Sequence, residues 1–305
     1  MAIPTSRSKN PATITIDEEK CILCGKCIEV CKDFSLEIRD NKLVTSANPL
    51  FGCIGCGHCM AICPEGAIEI SGRETGFKDL FILPEASQAA DYNQLNALLE
   101  RRRSIREFAE KEVSADIIEK IVNAARTSPM GLPPSDVNVL ILGSRDAVRS
   151  FGLDFCGYLN DMKWFVSDWF LALMRPFWGK ANDEMFKGFV KPMFKFFIKK
   201  RDEGINMVTY DAPLAMYFYG SPYTDPADPI IAATVAMYAA ESLGLGTCMI
   251  GSVHPLIQNG KRARKFREKY NIKYTSREGL VVLFGYPAIK YEKGIRRTFA
   301  SETYL

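Results

Sequence analysis

The chain has 305 residues, a hydrophobic content of 47% and a formal net charge of +3 at pH 7, with ten cysteines and two histidines. The length suggests two domains, and the composition is that of a globular protein with a substantial core. So small a net charge does not favour nucleic-acid binding, and no apolar run reaches the 18 residues typical of a membrane-spanning helix. Because thiols persist in a reducing compartment, we expect a cytoplasmic protein from an oxygen-poor setting.

Eight of the ten cysteines form two copies of one motif, Cys-Ile-x-Cys-Gly-x-Cys-x-x-x-Cys. The first copy holds Cys21, Cys24, Cys27 and Cys31, and the second holds Cys53, Cys56, Cys59 and Cys63. Three thiolates at i, i+3 and i+6 fit one face of an iron–sulfur cubane, whereas a zinc site usually takes two separated Cys-x-x-Cys pairs. In the bacterial iron–sulfur pattern with this spacing, the fourth cysteine ligates the other cluster.

We therefore predict two [4Fe–4S] clusters whose ligands cross between the two copies of the motif. One ligand set is Cys21, Cys24, Cys27 and Cys63, and the other is Cys53, Cys56, Cys59 and Cys31. Zinc or disulfides are the alternatives. Gly25 and Gly57 would let the backbone turn tightly inside each motif, so that N–H groups point at cluster sulfides.

Short β-type segments surround the cysteine repeat, at 13–16, 36–38, 43–44 and 67–70, with Asp40-Asn41 as a hairpin turn. Residues 1–72 therefore resemble a bacterial two-cluster ferredoxin. Lys32 departs from that family, which usually has proline after the fourth cysteine, whereas Pro64 keeps it in the second copy. Residues 73–90 contain glycine and proline with little periodicity and are predicted to be a linker.

The remaining residues, 91–305, have the pattern of an α+β domain. Asp91 and Gln94 predict a capped helix with Leu95, Leu98 and Leu99 as its buried stripe. Ser114 begins a second amphipathic helix, and a third, alanine-rich helix covers 229–243. Buried strands are predicted at 137–142, 215–219 and 280–284.

Arg102, Arg103, Ser104 and Arg106 follow the first of these helices. Guanidinium forks and a hydroxyl match phosphate oxygens, so this cluster is a candidate phosphate site. On its own the signal is weak. No catalytic triad, Walker loop or Gly-x-Gly-x-x-Gly motif occurs, which argues against acyl transfer and against a Rossmann nicotinamide domain.

Residues 91–305 resemble the nitroreductase family of flavoenzymes, because five motifs occur in the family's order. They are Arg-Arg-Ser-Ile-Arg-Glu-Phe at 102–108, Ser-Pro-Met-Gly at 128–131, Gly-Leu-Gly-Thr-Cys-Met-Ile-Gly at 244–251, Phe-Gly-Tyr-Pro at 284–287, and Arg297. The whole chain is similar to ferredoxin–nitroreductase fusions of anaerobes. The resemblance implies an α+β sandwich with a central, mainly antiparallel sheet flanked by helices, and an obligate homodimer with FMN at the subunit interface.

The same resemblance implies roles for individual residues. Arg102, Ser104 and Arg297, assisted by Arg103, would hold the FMN phosphate, and Arg106 would approach N1 and O2 of the isoalloxazine. The residues expected along the ring are Pro129, Met130 and Gly131, with Gly251 near N5 and Met249 and Ile250 over the closed face. For the last two, ordinary core packing is the alternative. No residue is predicted to be catalytic, and Pro133 and Ser135 replace the Asn and Gln that shape many nitroreductase pockets.

Residues 150–210 form an insert rich in aromatic residues and methionine. Such a surface is too apolar to lie in water, so we expect a helical dimer surface and lid. Lysines alternate with the apolar residues, which leaves a membrane-surface helix as the less favoured alternative. Pro176 and Pro192 are expected to interrupt the helices.

These features predict an oxidoreductase that joins one-electron clusters to a two-electron flavin. Reduced ferredoxin or a similar low-potential carrier would load the clusters, and FMN would reduce a nitro compound, a quinone or an activated alkene. Two alternatives stay open: a noncatalytic electron carrier or redox sensor, and an enzyme reduced directly by NAD(P)H.

Overall fold

The computed structural model describes residues 3–305 and begins with a small cysteine-bearing domain. Its strands β1 (Thr13–Ile16) and β4 (Ile68–Ser71) pair antiparallel, as do β2 (Leu36–Arg39) and β3 (Lys42–Thr45). Each cysteine motif contributes one short helix, α1 (Lys26–Val30) or α2 (His58–Ile62). Asp40 and Asn41 make the turn between β2 and β3 with φ of 50° and 58°. The predicted strands and hairpin are confirmed.

Two glycines give the repeat its backbone conformation. Gly25 and Gly57 directly precede α1 and α2, with φ of 75° and 74°. Side chains with a Cβ disfavour this left-handed region, so glycine is the residue that turns each motif into its helix. The two motifs are therefore repeated in conformation as well as in sequence.

The rest of the chain is built on one antiparallel sheet of four strands in the order β5-β6-β8-β7. The strands are β5 (Val137–Leu142), β6 (Leu214–Gly220), β7 (Gly246–Ile250) and β8 (Gly279–Gly285). Along β6, Tyr217 and Tyr219 belong to one hydrophobic cluster, whereas Met216 and Phe218 belong to another. Because side chains alternate along a strand, this places a core on each face of the sheet, and the predicted α+β sandwich is confirmed.

Helices cover both faces of the sheet. They are α3 (Tyr92–Arg101), α4 (Ala115–Arg126), α5 (Arg145–Asp161), α6 (Asp168–Met185), α7 (Lys191–Asp202), α8 (Ala227–Ser242), α9 (Val253–Leu256) and α10 (Lys261–Lys269). Residues of α4 and α8 form the cluster on one face, and residues of α5, α9 and α10 contribute to the cluster on the other. The alanines of α8 let it lie close to the sheet, and Ala233, Ala236 and Ala240 are fully buried.

Strand β7 was not predicted from the sequence, because Gly244 and Gly246 read as turn residues. Its formation depends on pairing at both edges. One edge pairs with β8, and the other meets the 104–108 segment through the Ile105 N–H, which donates to the Thr247 carbonyl at 2.9 Å. A Cβ on Gly246 would lie 2.4 Å from Ile105, so only glycine permits this approach.

The insert is helical, as expected, but its break lies at a different residue. Helix α6 is interrupted at Gly179, whose φ is 77° and ψ 175°, three positions after Pro176. Pro192 lies in the first turn of α7 and so begins that helix rather than interrupting it. Within residues 3–305, no helix combines the length and apolar character needed to cross a bilayer.

The aromatic side chains of the insert are divided between an internal cluster and the surface. Trp178 and Phe186 stack with ring centres 4.5 Å apart. Phe177 and Trp169 remain 79% and 63% exposed. Part of the apolar surface that the sequence placed against a partner therefore packs within the insert itself.

Helix α3 also differs from the prediction. Its cap is confirmed, since the Asp91 carboxylate accepts a hydrogen bond from the Gln94 N–H at 2.8 Å. The expected buried stripe is wrong within a single chain, because Leu95 and Leu99 are exposed. The helix lies beside α8 at the edge of the domain, where this chain provides no second layer to cover it.

Candidate functional site

The first predicted set of thiols converges on one cavity in the N-terminal domain. Cys21, Cys24, Cys27 and Cys63 all line it, together with Ile22 and Pro64. Cys63, from the second copy of the motif, therefore lies beside the three thiols of the first copy with which the spacing groups it.

The second set is brought together around Cys59. The pKa of Cys59 is raised to about 12, first by burial and then by the neighbouring charges of Cys53, Cys56 and Cys31. Burial likewise raises the pKa of Cys53, with Cys56 and Cys31 contributing in the same direction. Cys31 therefore lies near Cys53 and Cys59 of the second motif, close enough for its charge to act on theirs.

Each set is a group of four soft donors, which is the chemistry that iron–sulfur clusters require. Burial raises the pKa of Cys27, Cys53 and Cys59, so these thiols resist ionisation individually, and a bound cationic cluster would supply the opposing charge. The residues present therefore fit two clusters. Within the described residues, no three histidine, cysteine, aspartate or glutamate side chains converge closely enough to hold a single metal ion.

A second candidate site is a cleft of about 1310 Å³ between the end of α3, the start of β7 and the C-terminal segment. Arg102, Arg103 and Arg297 line this cleft. Gly294 passes so close to the guanidinium of Arg103 that a Cβ there would overlap it. The structure thus brings together three arginines that lie far apart in the sequence.

Two buried polar atoms at this end of the domain lack partners. The Arg102 Nη1 and the Thr247 Oγ1 have no hydrogen-bond partner in the part of the chain described, residues 3–305. Ser104 pairs with Thr247 across a β-bridge, so the arginine segment and Thr247 meet here. Unpaired buried donors are uncommon and costly, and an anion with several acceptor oxygens, such as phosphate, would satisfy both.

Thr247 was missed by the sequence analysis although it lies inside a quoted motif. Its side chain gains significance only through the pairing of the 104–108 segment with β7, which the sequence does not show.

Arg106 lies beside the buried thiol of Cys248 on β7. That thiolate raises the pKa of Arg106, and Tyr210, whose ring centre lies 6.0 Å from the Arg106 Cζ, acts in the same direction. Burial raises the pKa of Cys248, while Arg106 and Arg102 oppose that rise. The motif at 102–108 and the motif at 244–251 therefore meet along β7.

The Ser-Pro-Met-Gly loop is anchored by a residue that the sequence analysis did not select. The Gly131 N–H donates to the Asp228 Oδ1 at 3.0 Å, and Asp228 is buried at the start of α8. A Cβ on Gly131 would come within 3.0 Å of Asp225, so the loop approaches α8 closely. Asp228 therefore holds the loop in place through this hydrogen bond, although it lies outside the loop in the sequence.

The predicted flavin residues do not all lie in the arginine cleft. In the described chain, its lining includes neither the Pro129–Met130–Gly131 segment nor the Met249–Ile250–Gly251 segment. Met130 and Met249 are exposed, Ile250 is buried, and Gly251 has open space around its Cα. One chain therefore presents these groups on separate surfaces.

Asp228 gives a prediction for pH-dependent stability. Burial raises the pKa of its carboxyl, so the stability that it contributes is present below the ordinary carboxyl pKa and is lost as pH rises through the higher folded value. At pH 7 we expect Asp228→Asn, which keeps the acceptor for Gly131, to be at least as stable as the parent. Asp228→Ala should lose about 1 kcal/mol in the free energy of unfolding. Denaturant unfolding at pH 5 and pH 8 measures both, and a destabilised Asp228→Asn at pH 8 would contradict this account.

His254 belongs to a buried network beneath the sheet. Its Nδ1 lies 2.8 Å from the Tyr217 hydroxyl and 3.2 Å from the Gln258 Nε2, and its Nε2 lies 3.3 Å from the Arg277 carbonyl oxygen. All of its polar atoms have partners, which indicates a structural role rather than proton donation to a substrate.

The same burial makes His254 a source of acid sensitivity. Burial lowers its pKa, so the neutral ring stabilises the fold above about pH 6.5, and this contribution is lost as pH falls through the lower folded pKa. We expect the unfolding free energy of the parent to fall faster with acid than that of His254→Gln, by up to about 1.4 kcal/mol per pH unit. Denaturant titrations between pH 7.5 and 5 measure this difference. Parallel profiles would rule it out.

Two family models match the chain. The nitroreductase family matches residues 99–286, and a 4Fe-4S dicluster domain matches residues 14–70. No curated protein matches closely enough to count as a relative.

Solved structures with a similar fold include two bacterial proteins. One is a nitroreductase with bound FMN from Bacteroides fragilis NCTC 9343, with 16% identity, a TM-score of 0.52, and coverage of 70% of this chain and 98% of that one. The other is a nitroreductase with bound FMN from Desulfitobacterium hafniense DCB-2, with 19% identity, a TM-score of 0.50, and coverage of 69% and 97%. At these identities the likeness shows a shared fold.

Proposed function

The chain belongs to the nitroreductase family, and we propose that it passes single electrons from a low-potential donor through two [4Fe–4S] clusters to FMN, which reduces an electron-poor organic acceptor. It is an FMN-dependent oxidoreductase that carries an iron–sulfur domain. One observation carries the proposal: a single chain combines two converging sets of four thiols with an arginine-lined cleft on a flavoenzyme fold.

The cofactors supply the redox chemistry: the clusters transfer one electron at a time, and FMN accepts single electrons and releases them as a hydride. The chain's own residues bind and orient these groups. Each set of four thiols would hold one cluster, with Cys63 and Cys31 as the exchanged ligands. The buried Met60 and Ile68 lie in the same hydrophobic cluster as Cys27 and Cys59 and keep water from that side of the ligands.

For the FMN phosphate we propose Arg102, Ser104 and Arg297, with Arg103 nearby and Thr247 as an additional hydroxyl donor. The unpaired Arg102 Nη1 and Thr247 Oγ1 support this choice. Arg106 would stabilise negative charge near N1 and O2 of the ring, since a cation beside developing charge lowers its energy. The Pro129–Met130–Gly131 loop, Met249, Ile250 and Gly251 would border the ring.

We propose a homodimer with FMN at the subunit interface. Exposed apolar side chains support a dimer. Ile295 and Phe299 of the C-terminal segment are more than three-quarters exposed, and Leu95 and Leu99 of α3 are exposed as well. The separation of the arginine cleft from the Met130 and Met249 surfaces supports it as well, since a second copy could bring the two kinds of surface together.

The donor that we propose is reduced ferredoxin or a similar one-electron carrier, and the acceptors are small electron-poor molecules such as nitro compounds, quinones or activated alkenes. The acceptor's proton would come from solvent or from a backbone group, because His254 is committed to its buried network.

Protein purified without oxygen tests this function. We expect about eight iron and eight sulfide atoms per chain, from two clusters of four, together with one FMN. Anaerobic mixing with reduced ferredoxin, NADH or NADPH, followed by flavin absorbance, identifies the donor, and steady consumption of an acceptor establishes turnover. Zinc without flavin would refute the proposal. Bleaching by NADPH alone would overturn the donor, and bleaching without turnover would indicate an electron carrier.

A further inference from the structure

A fully buried arginine joins the cysteine domain to the loop that precedes β5. Arg73, with 0% of its surface exposed, donates from Nη2 to the Pro133 carbonyl at 2.9 Å. Its Nη1 donates to the carbonyls of Ile3 at 3.1 Å and Asn10 at 3.0 Å. One guanidinium therefore binds three backbone segments, one of which immediately follows the Pro129–Met130–Gly131 loop.

A carboxylate reinforces the same contact. Asp136, which is also buried, accepts from the Ser6 N–H at 2.7 Å and the Ser6 hydroxyl at 2.6 Å. Its Oδ2 accepts from the Ser221 hydroxyl at 2.8 Å, and Arg7 donates to the Ser135 carbonyl at 3.0 Å. Residues 3–10 are thus held against residues 133–136.

On its other side, Arg73 packs against the second cysteine motif. A Cβ on Gly55 would lie 3.0 Å from the Arg73 Cβ and 3.4 Å from its Cδ, and one on Gly57 would lie 3.4 Å from the Thr75 Cγ2. The backbone between Cys53 and Cys59 therefore lies against residues 73–75. The cavity of the first set has a different lining, drawn from residues 20–27, 38, 43 and 63–68.

Stability alone is a poor explanation for this arginine. Burying a guanidinium removes it from water, and Arg73 makes its hydrogen bonds to carbonyl groups, while its Nε has no partner among the residues described. An apolar side chain could fill the contact without that penalty. A guanidinium adds several donors at fixed angles, which define the relative position of the segments that it binds.

We propose that Arg73 is a positioning residue that fixes the second thiol set, Cys31, Cys53, Cys56 and Cys59, against the 128–136 loop. The cluster on that set is then the nearer one to FMN, and the first set lies on the side open to an external donor. This inference rests on the proposed function. Its redox balance is two electrons and one proton for each flavin reduced: a one-electron carrier, such as a small reduced iron–sulfur protein, is oxidised twice, and solvent supplies the proton.

Arg73→Met and Arg73→Lys test the positioning role in the cofactor-loaded protein. We expect Arg73→Met to speed hydrogen exchange at the Ser6 N–H, which donates to Asp136 across this contact, and to slow flavin bleaching by reduced ferredoxin at least about tenfold, equivalent to about 1.4 kcal/mol in the barrier. Photoreduction of the flavin, which bypasses the clusters, and the iron content should not change. Arg73→Lys, which keeps the charge, should restore part of the rate.

Arg267→Met is the matched control, because Arg267 on α10 also donates to backbone carbonyls, those of Ile257 and, at 2.8 Å, Gln258, which follow α9 and are not part of this contact. It should lower stability without slowing ferredoxin-driven bleaching. If Arg73→Met leaves exchange at the Ser6 N–H unchanged, or slows bleaching no more than Arg267→Met does, the positioning role is wrong.

The placement of the second set has its own test in the paired variants Cys27→Ser and Cys59→Ser, which replace equally buried cysteines at the same place in each motif. The methyl NMR signal of Met130, in the flavin loop, should broaden near a paramagnetic reduced cluster. We expect that broadening to survive in Cys27→Ser and to disappear in Cys59→Ser, and the reverse result overturns the placement. If both variants lose all iron, they cannot locate the second cluster, and hydrogen exchange at the Ser6 N–H in Arg73→Met then tests the contact that positions it. If ferredoxin cannot reduce the parent protein, the proposed donor is wrong. The hydrogen-exchange and NMR results would still test whether the second thiol set lies near the flavin.

Discussion

Arg102→Ala should bind FMN about 10- to 150-fold more weakly than the parent, because a charge-assisted phosphate contact contributes about 1.5–3 kcal/mol. The Arg102 Nη1 is buried without a hydrogen-bond partner among residues 3–305, so this donor is available to an oxygen of the FMN phosphate. Fluorescence of released flavin during dilution, or equilibrium dialysis under nitrogen, gives the dissociation constant.

Arg101→Ala is the natural control for that measurement. Arg101 lines the same cleft, but its side chain is 75% exposed and lies 3.5 Å from the carboxylate of Glu241. Because the exposed Arg101 guanidinium is directed to Glu241, its loss removes no phosphate contact, and flavin affinity should stay within about twofold of the parent. Full flavin retention by Arg102→Ala would show that the phosphate lies elsewhere.

Cys59→Ser should lose the second cluster and therefore about four of about eight iron atoms per chain, while FMN stays bound. Cys59 is buried among Cys53, Cys56 and Cys31, and a serine hydroxyl is a poor replacement for a soft thiolate. Reduction of the flavin by ferredoxin should slow, whereas photoreduction of the flavin should proceed as before. Iron and sulfide analysis together with anaerobic stopped-flow absorbance measures both effects.

Cys156→Ser provides the comparison, since Cys156 is equally buried but belongs to the hydrophobic core on α5. It should keep full iron content even if the fold loses some stability. Equal iron in Cys59→Ser and the parent would remove Cys59 from the ligand set.

The features that sequence reasoning predicted well are those encoded in local spacing. The cysteine repeat predicts two sets of four thiols, and the structure brings the members of each set together, including Cys31 and Cys63 from the other copy. The cap at Asp91 and the strand at Val137–Leu142 follow equally local signals. In each case a few adjacent residues determine the backbone conformation.

What was missed depends on contacts between distant residues. Thr247 and Asp228 become significant only when β7 meets the 104–108 segment and α8 meets the Gly131 loop. Arg73 lies at the start of a stretch predicted to be a linker, and its burial requires Pro133 to approach from the second domain. Hydrophobic periodicity in the sequence does not indicate such contacts between distant residues.

The exposed stripe of α3 was misread for a different reason. Hydrophobic periodicity shows that one face of a helix avoids water, but it does not say whether the cover comes from the same chain. Leu95 and Leu99 are exposed here, and so is much of the C-terminal segment. A pattern of this kind therefore predicts burial without identifying what provides it.

The exchange of Cys31 and Cys63 between the two sets bears on how this domain arose and how it is assembled. In the proposed ligand sets each half of the repeat supplies three thiols to one cluster and its fourth to the other, so a half-length peptide would not complete either set by itself. Two identical half-length peptides could do so by associating, each lending its last cysteine to the other, and duplication within one gene would then have made that pairing permanent. In this chain, binding of one cluster should therefore favour binding of the other, so molecules with a single cluster should be scarce during maturation.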